Sequence, residues 1–456
     1  MNHDYTTNRT TAYLRTLKGI PLLSAPVHHL LPDIPVEDTL QRTNLLVFTP
    51  VMHAYVTWIL REAVRMGIRR LYFLARDGYL VYRIACQLCE HLGLDLECRY
   101  IYCSRFSLRQ PMYHQNLDEA LDYICRGGLS ITPKKLMIRA GFSEADISEV
   151  YPKTGLDYRL EEPVAYAQLS AIQKKLRHCP EFIDRVYRNS REASPRLEGY
   201  FRQEGLLDSC PAALVDCGWT GSMQKSIGQI RNLFGCTAPL HGFYFGIYHL
   251  PGDCDASAYH CFYFSAHRHL LRKVLFNNNL LEVVFSAPHG TTCGYERNEN
   301  SYIPVLAQPQ PQIQELLTQL TPQMDAYTQL FLQALTVKRF FRLSPHCLAR
   351  ISARLLQRLM FAPTVSEAQA YGTLPFSDDM LDDHPGELAT AMDPRELKDY
   401  HVLNRILGML GLRKFSLRES AWFEASAVRS VPHSGLHRCN FALYKLLIHF
   451  RQMFRH

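Results

Sequence analysis

The sequence predicts an α/β protein built on a parallel sheet, with a helical insertion and a mainly helical C-terminal region. Three observations predict it. An apolar strand, Arg70-Leu71-Tyr72-Phe73-Leu74, passes through the turn Ala75-Arg76-Asp77-Gly78 into a helical pattern over 79–92, and a second strand follows at 98–102. The same grammar resumes at 212–215, with a helix over 223–234 and strands over 240–248 and 258–264. Near-continuous apolar strands of this kind suit a sheet covered on both faces. Between the two halves, 114–206 reads as helical, over 116–126, 134–140, 164–176 and 180–203, and is expected to cap one end of the sheet.

Around this core, residues 1–45 are rich in Thr, Pro and His with little periodicity and read as an arm or irregular lead-in. The stretch 51–67 has helical spacing. The α/β domain is expected over 46–305 and a helical region over 306–456, periodic from 309 to 360. The acidic loop Ser377-Asp378-Asp379-Met380-Leu381-Asp382-Asp383 divides that region from a basic tail. In the tail, Leu443, Leu446, Leu447, Phe450, Met453 and Phe454 share one helical face, opposite Lys445, His449, Arg451 and Arg455. Such a helix either docks on its own domain or rests on an anionic membrane surface.

Bulk composition narrows the classes. At 456 residues, 47% hydrophobic and 20% charged, the chain has room for more than one core. The opening Met1-Asn2-His3-Asp4-Tyr5 lacks a secretory pattern, and the apolar run 51–60 stops at Arg61 and Glu62. A cytoplasmic protein that does not cross the membrane is expected, at most peripheral on its inner face. The fourteen cysteines are scattered and should be reduced thiols. Cys86-Gln87-Leu88-Cys89 has no second pair at zinc spacing. From His401 onward nine Lys or Arg face two acids, which accounts for the whole net charge of +7. The balanced remainder argues against a nucleic-acid-coating surface.

The chemistry is expected at Asp216-Cys217-Gly218-Trp219-Thr220-Gly221-Ser222, where an apolar strand ends at an acid and a Thr-Gly-Ser turn opens a helix. Unpaired N–H groups at a helix start carry the positive end of the dipole and bind anions. Gly218 and Gly221 would let backbone approach a phosphate, and Thr220 and Ser222 would add hydroxyl donors. Asp216 would accept from sugar hydroxyls or hold Mg²⁺. An ordinary capped turn would look alike. The turn has neither G-x-G-x-x-G nor Walker spacing. At the earlier turn, Arg76 would face a phosphate, Asp77 would hold a metal or hydroxyl, and Gly78 would permit a tight bend; the alternative is a capping Asp beside a solvated Arg. Ser104-Arg105 occupies the corresponding place after the second strand.

These turns resemble the type I phosphoribosyltransferases, in which an early R-x-G turn cradles pyrophosphate and a later D-x-x-x-T-G-x-S/T segment holds ribose and 5-phosphate. Residues 71–82, 102–108, 215–227 and 282–295 look more closely like a module of bacterial polysaccharide clusters, often fused to a haloacid-dehalogenase-type phosphatase or a glycosyltransferase. The resemblance implies transfer of ribofuranose 5-phosphate from phosphoribosyl pyrophosphate to a lipid-linked glycan, with a partner phosphatase acting afterwards. It departs at Val215, where those enzymes place the first of two adjacent acids, and Asp77 is the residue that would supply the missing carboxylate.

The remaining features admit more than one reading. Glu282 lies on an apolar helix face and is either a buried, hydrogen-bonded acid or a catalytic one. With Asp77 it is a candidate base for the acceptor; Asp77 and Asp216 are the candidate Mg²⁺ ligands. His267, Arg268, His269, Arg272 and Lys273 form either a phosphate-facing wall or a solvated helix face. The run Asn277-Asn278-Asn279 reads as a turn or cap, and Phe243-Tyr244-Phe245 as core. A phosphatase of the haloacid-dehalogenase class would need a second Asp two residues after Asp77, where Tyr79 stands. A non-catalytic scaffold of a polysaccharide assembly complex is the other alternative.

Overall fold

A computed structural model of the chain describes residues 2–128, 131–376, 386–410 and 420–453. At its centre, five parallel strands run in the order β2-β1-β3-β4-β5. They are β1 (Arg70–Leu74), β2 (Glu97–Ile101), β3 (Ala212–Trp219), β4 (Leu240–Ile247) and β5 (Tyr259–Phe264). All five strands appear where the apolar runs predict them. One differs in length: β3 continues through Asp216, Cys217 and Gly218 to Trp219, because those residues stay paired with β4 up to Ile247. The acid thus sits within the strand rather than in the turn after it.

Alternation along the strands feeds two cores. Leu71, Phe73, Ala213 and Val215 enter one cluster, while Tyr72, Leu74 and Leu214 enter the other. The Gly78–Leu92 helix covers the first face through Leu80, Val81, Ile84 and Leu88. The Pro180–Gln203 and Ser222–Leu233 helices cover the second through Leu197, Tyr200, Phe201, Ile227 and Ile230. The chain therefore leaves β1 on one side to form β2 and returns on the other to form β3. The point between β1 and β3 is where a doubly wound sheet opens a crevice at its carboxyl edge.

The insertion is helical, as predicted, and has its own core around Leu121, Leu136, Ile147, Ile172 and Phe182. An antiparallel hairpin, β6 (Thr292–Asn298) and β7 (Ser301–Leu306), was not predicted; Glu296, Arg297 and Asn298 interrupt its apolar alternation.

The N-terminal reading is corrected. Residues 1–45 are not an irregular arm: helices span Asn2–Leu17 and Pro21–Leu30. Tyr13, Leu17, Leu23 and Val27 are buried in the same cluster as the sheet. The Pro311–Ala334 and Pro345–Phe361 helices also belong to that cluster, through Leu316, Tyr327, Leu348 and Leu356. What sequence order separates into a lead-in and a C-terminal region is one hydrophobic unit around the Thr49–Arg65 helix. The helical stretch Thr39–Arg65 has the length and composition to cross a membrane, yet its apolar window is entirely buried in protein. Residues 377–383 of the acidic loop lie outside the described residues.

One polar joint locks the N-terminal helix in place. The Arg9 guanidinium donates to both Glu367 carboxylate oxygens and to the Arg358 and Ala362 carbonyls. Tyr13 donates to Glu367 at 2.6 Å. The Glu367 side chain is only 3% exposed, so losing its cation strands a buried charge. Arg9→Met should lower stability in urea unfolding by about 3–5 kcal/mol, whereas a dispensable arm would show no change.

Candidate active site

Three carboxylates converge at the carboxyl edge of the sheet. Asp77 follows β1, Asp216 lies in β3, and Glu282 comes from the Asn278–Val284 helix. All three are half-buried, so each is recessed yet reached by solvent. They lie within electrostatic range of one another and of Arg76 and Arg105. Both arginines are exposed at the rim and make no ion pair among the described residues.

Local structure explains how each acid is held. Asp77 stands at the N-cap position of the Gly78–Leu92 helix, but its side chain makes no capping bond. The capping role therefore does not account for it. Burial, then the Glu282 and Asp216 charges, push its carboxyl well above the ordinary range. Burial pushes Asp216 up to about 7, against the pull of Arg105 and the Gly218 and Cys217 N–H groups. Glu282 is raised by burial, opposed by the Trp219 indole N–H, which donates to it.

Several predicted residues take positions with a different local reason. Gly218 lies in β3 at φ +128°, and a Cβ there would meet the Gly246 carbonyl oxygen at 2.0 Å. Its lack of a side chain serves strand packing rather than approach to a phosphate. Trp219 points its indole at Glu282, a positioning role that the turn reading missed. Gly221 is the left-handed residue preceding the Ser222–Leu233 helix, and a Cβ there would meet Tyr259 at 2.5 Å. Gly78 packs against Phe73, whose backbone a Cβ would meet at 3.1 Å. The Ser104 hydroxyl accepts from the Ser107 N–H and donates to the Thr292 carbonyl, capping the helix that presents Arg105. Thr220 and Ser222 remain at the helix start, their hydroxyls 3.1 Å apart.

Other candidates leave the site. Lys273 is buried and donates to the Tyr248 and Ala266 carbonyls, and Arg272 donates to that of Tyr263. These two do not form a phosphate wall, while His267, Arg268 and His269 are exposed, as the solvated-face alternative expects. Asn277 caps its helix, as predicted. An aromatic wall unseen in the sequence borders Asp77 and Arg76. Tyr100 and His289 are hydrogen-bonded at 2.9 Å, with Tyr79 and Tyr102 packed around them. The signal available was the spacing of two between Tyr100 and Tyr102, which sets their side chains on one side of the chain.

Among the described residues, no three His, Cys, Asp or Glu side chains group closely enough to hold a metal by themselves. Mg²⁺ is typically held by one or two carboxylates, completed by phosphate oxygens and waters. Asp77 and Asp216, recessed and with no cation among the described residues in direct contact, fit that donor set. No protein-family model matches the chain, and no curated protein matches it.

Crowded carboxylates oppose folding when ionised. Asp216 binds its proton more tightly folded than unfolded, so its contribution is lost as pH rises from about 4 to about 7 and is level above that. Asp216→Asn should therefore stabilise the metal-free protein at pH 8, by an amount of the order of 2 kcal/mol once solvent screening is allowed for. At pH 4 it should change nothing; thermal melts at both pH values check this.

Proposed function

We propose that the chain is a Mg²⁺-assisted phosphoribosyltransferase with a type I phosphoribosyltransferase-like sheet. It would transfer ribofuranose 5-phosphate from phosphoribosyl pyrophosphate to a sugar acceptor in cell-surface polysaccharide biosynthesis, before a partner phosphatase acts. The observation that carries this reading is the set of three recessed carboxylates beneath two exposed, unpaired guanidinium groups, beside a Thr-Gly-Ser helix start. Such a site suits a ligand with hydroxyls at its centre and phosphates at both ends.

In this reading the Thr220 and Ser222 hydroxyls and the helix N–H groups hold the 5-phosphate. Asp216 accepts from the ribose hydroxyls, and Arg76 and Arg105 face the pyrophosphate. Asp77 and Asp216 would hold Mg²⁺, which when bound supplies charge neutralisation to the leaving phosphates. The C1–O bond to pyrophosphate breaks, and its electron pair leaves with pyrophosphate. The acceptor hydroxyl oxygen bonds to C1 of the oxocarbenium-like carbon and gives up its proton to a carboxylate. The Trp219 hydrogen bond favours Glu282 as that base, because an oriented acid with a raised proton affinity suits the role.

The test is to incubate the protein with phosphoribosyl pyrophosphate, Mg²⁺ and candidate glycans, following pyrophosphate release and a mass gain of one pentose phosphate. Glu282→Gln should cut single-turnover rate by about 10²–10⁴-fold with donor affinity kept. Asp77→Asn and Asp216→Asn should chiefly weaken Mg²⁺-dependent donor binding in calorimetry. Thr220→Val with Ser222→Ala should weaken it too, with an unchanged melting curve, whereas any side chain at Gly221 would disturb the turn itself. Wild-type protein that binds no donor, or near-normal turnover in all three acid variants, overturns the reading.

A further inference from the structure

The Cys86-Gln87-Leu88-Cys89 pair gains a third thiol in the fold. Cys86 and Cys89 are three apart on the Gly78–Leu92 helix and share a face. That face packs on β2, where the Cys98 sulfur lies 3.9 Å from that of Cys89. The three cysteines line an open recess of about 360 Å³, completed by Glu90, Gly93, Leu94 and Leu96. Cys86 and Cys98 are half-buried, Cys89 is buried, and all three are free thiols. By the rise per residue, Cys86 stands about 13 Å along the helix from Asp77, so the recess is separate from the acids. The cluster is too loose to hold a metal by itself. A cysteine that only fills core is inert, whereas one beside a hydrogen-bond donor and open to solvent reacts; Cys86 is of the second kind.

We propose that this recess is a peroxide-reactive site, in which Cys86 is oxidised and Cys98 then closes a reversible disulfide onto it. Hydrogen bonding from the Cys98 thiol lowers Cys86 to about 7, against its burial, and the Tyr82 hydroxyl assists. The Cys86 and Cys89 contacts, then burial, push Cys98 up. Cys86 is therefore the thiolate of the cluster and Cys98 keeps its proton. A thiolate whose pKa lies near ambient pH is the best placed to attack. Its sulfur bonds to one oxygen of hydrogen peroxide, the O–O bond breaks, and the electron pair leaves with hydroxide. That hydroxide takes up the proton Cys86 gave to solvent, and Cys86 is left as a sulfenic acid. The Cys98 sulfur then bonds to the Cys86 sulfur, the S–O bond breaks, and the hydroxyl leaves as water with the Cys98 proton. Two thiols lose two electrons, and one peroxide becomes two waters. Cys89 packs against Cys98 and takes no part in the step.

The full chain should be treated with stoichiometric hydrogen peroxide at neutral pH, its remaining thiols blocked with N-ethylmaleimide, and its cysteines mapped by mass spectrometry. Cleavage after Glu90 and Glu97 separates Cys98 from the other two. A Cys86–Cys98 link is expected, reversed by dithiothreitol. It should form about tenfold faster than the exposed Cys439 is oxidised, the ratio of thiolate expected between a pKa of about 7 and an ordinary one of about 8.5. Cys98→Ser should leave Cys86 as a sulfenic acid that dimedone traps, Cys86→Ser should abolish the fast reaction, and Cys89→Ser should keep the link. Mapping the wild-type chain stands even where a serine variant melts early. A Cys86–Cys89 link, a Cys89–Cys98 link that survives Cys86→Ser, or oxidation no faster than that of Cys439 would each overturn the proposal. Closure of the bond in a protein that binds no phosphoribosyl pyrophosphate would overturn the transferase reading alone.

Discussion

Phe73 of β1 pairs with Val215 of β3 at the centre of the sheet, and the arrangement of the candidate site follows from that register. The chain leaves β1 one residue later and turns through Ala75, Arg76 and Asp77, while β3 runs on through Asp216. Two acids separated by 139 positions in the chain are brought to one edge. The Ala75 N–H bonds to the Ile101 carbonyl, which ties the Arg76 turn to the end of β2 and sets Arg105 on the same rim. Parallel pairing places every strand's carboxyl end on one side, so side chains from β1, β2 and β3 meet there without any special loop.

That convergence opposes stability. Three carboxylates share one recess, and among the described residues none has a cation in direct contact. Raised proton affinities are the visible consequence, since each charge disfavours the next and burial disfavours all of them. The surrounding structure compensates by rigidity. Trp219 is fixed between the sheet face and Phe276, with ring centroids 5.3 Å apart, and holds Glu282 by a hydrogen bond. Asn277 and Asn279 anchor the Glu282 helix to the Ala421 carbonyl, linking the site to the C-terminal part of the chain. Sites that bind cationic or hydroxyl-bearing ligands commonly hold such unfavourable charge in the free state.

The same logic of long-range polar joints runs through the helical shell. Glu367 is satisfied by Arg9 and Tyr13, more than 350 positions away in the chain. His53 bridges the Thr49 carbonyl and the Thr328 hydroxyl inside the core, and burial lowers its proton affinity to a pKa of about 4. The first joint ties the N-terminal helix to the Val365–Gly372 helix, and the second ties the Thr49–Arg65 helix to the Pro311–Ala334 helix. They also explain how terminal segments with weak apolar periodicity become core.

Local pattern alone determined much of this protein: five apolar strands, the helices that follow them, the helical insertion, and the positions of Arg76, Asp77 and Arg105 just beyond strand ends. Those features depend on periodicity and on turn residues within a few positions, which a single sequence displays. Tertiary structure decided the rest. Only the pairing of β3 with β4 shows that Gly218 is a packing glycine and that Asp216 lies inside a strand. Only the tertiary structure brings Glu282 onto the Trp219 indole and into range of Asp77 and Asp216. Only the burial of Tyr13 and Leu17 turns a Thr-rich lead-in into core. Only the Lys445–Glu424 pair reveals that the C-terminal helix turns Leu443 and Leu447 outward. In each case the deciding partner is distant in the chain, and a hydrophobic or polar residue carries no local mark of which distant partner will satisfy it.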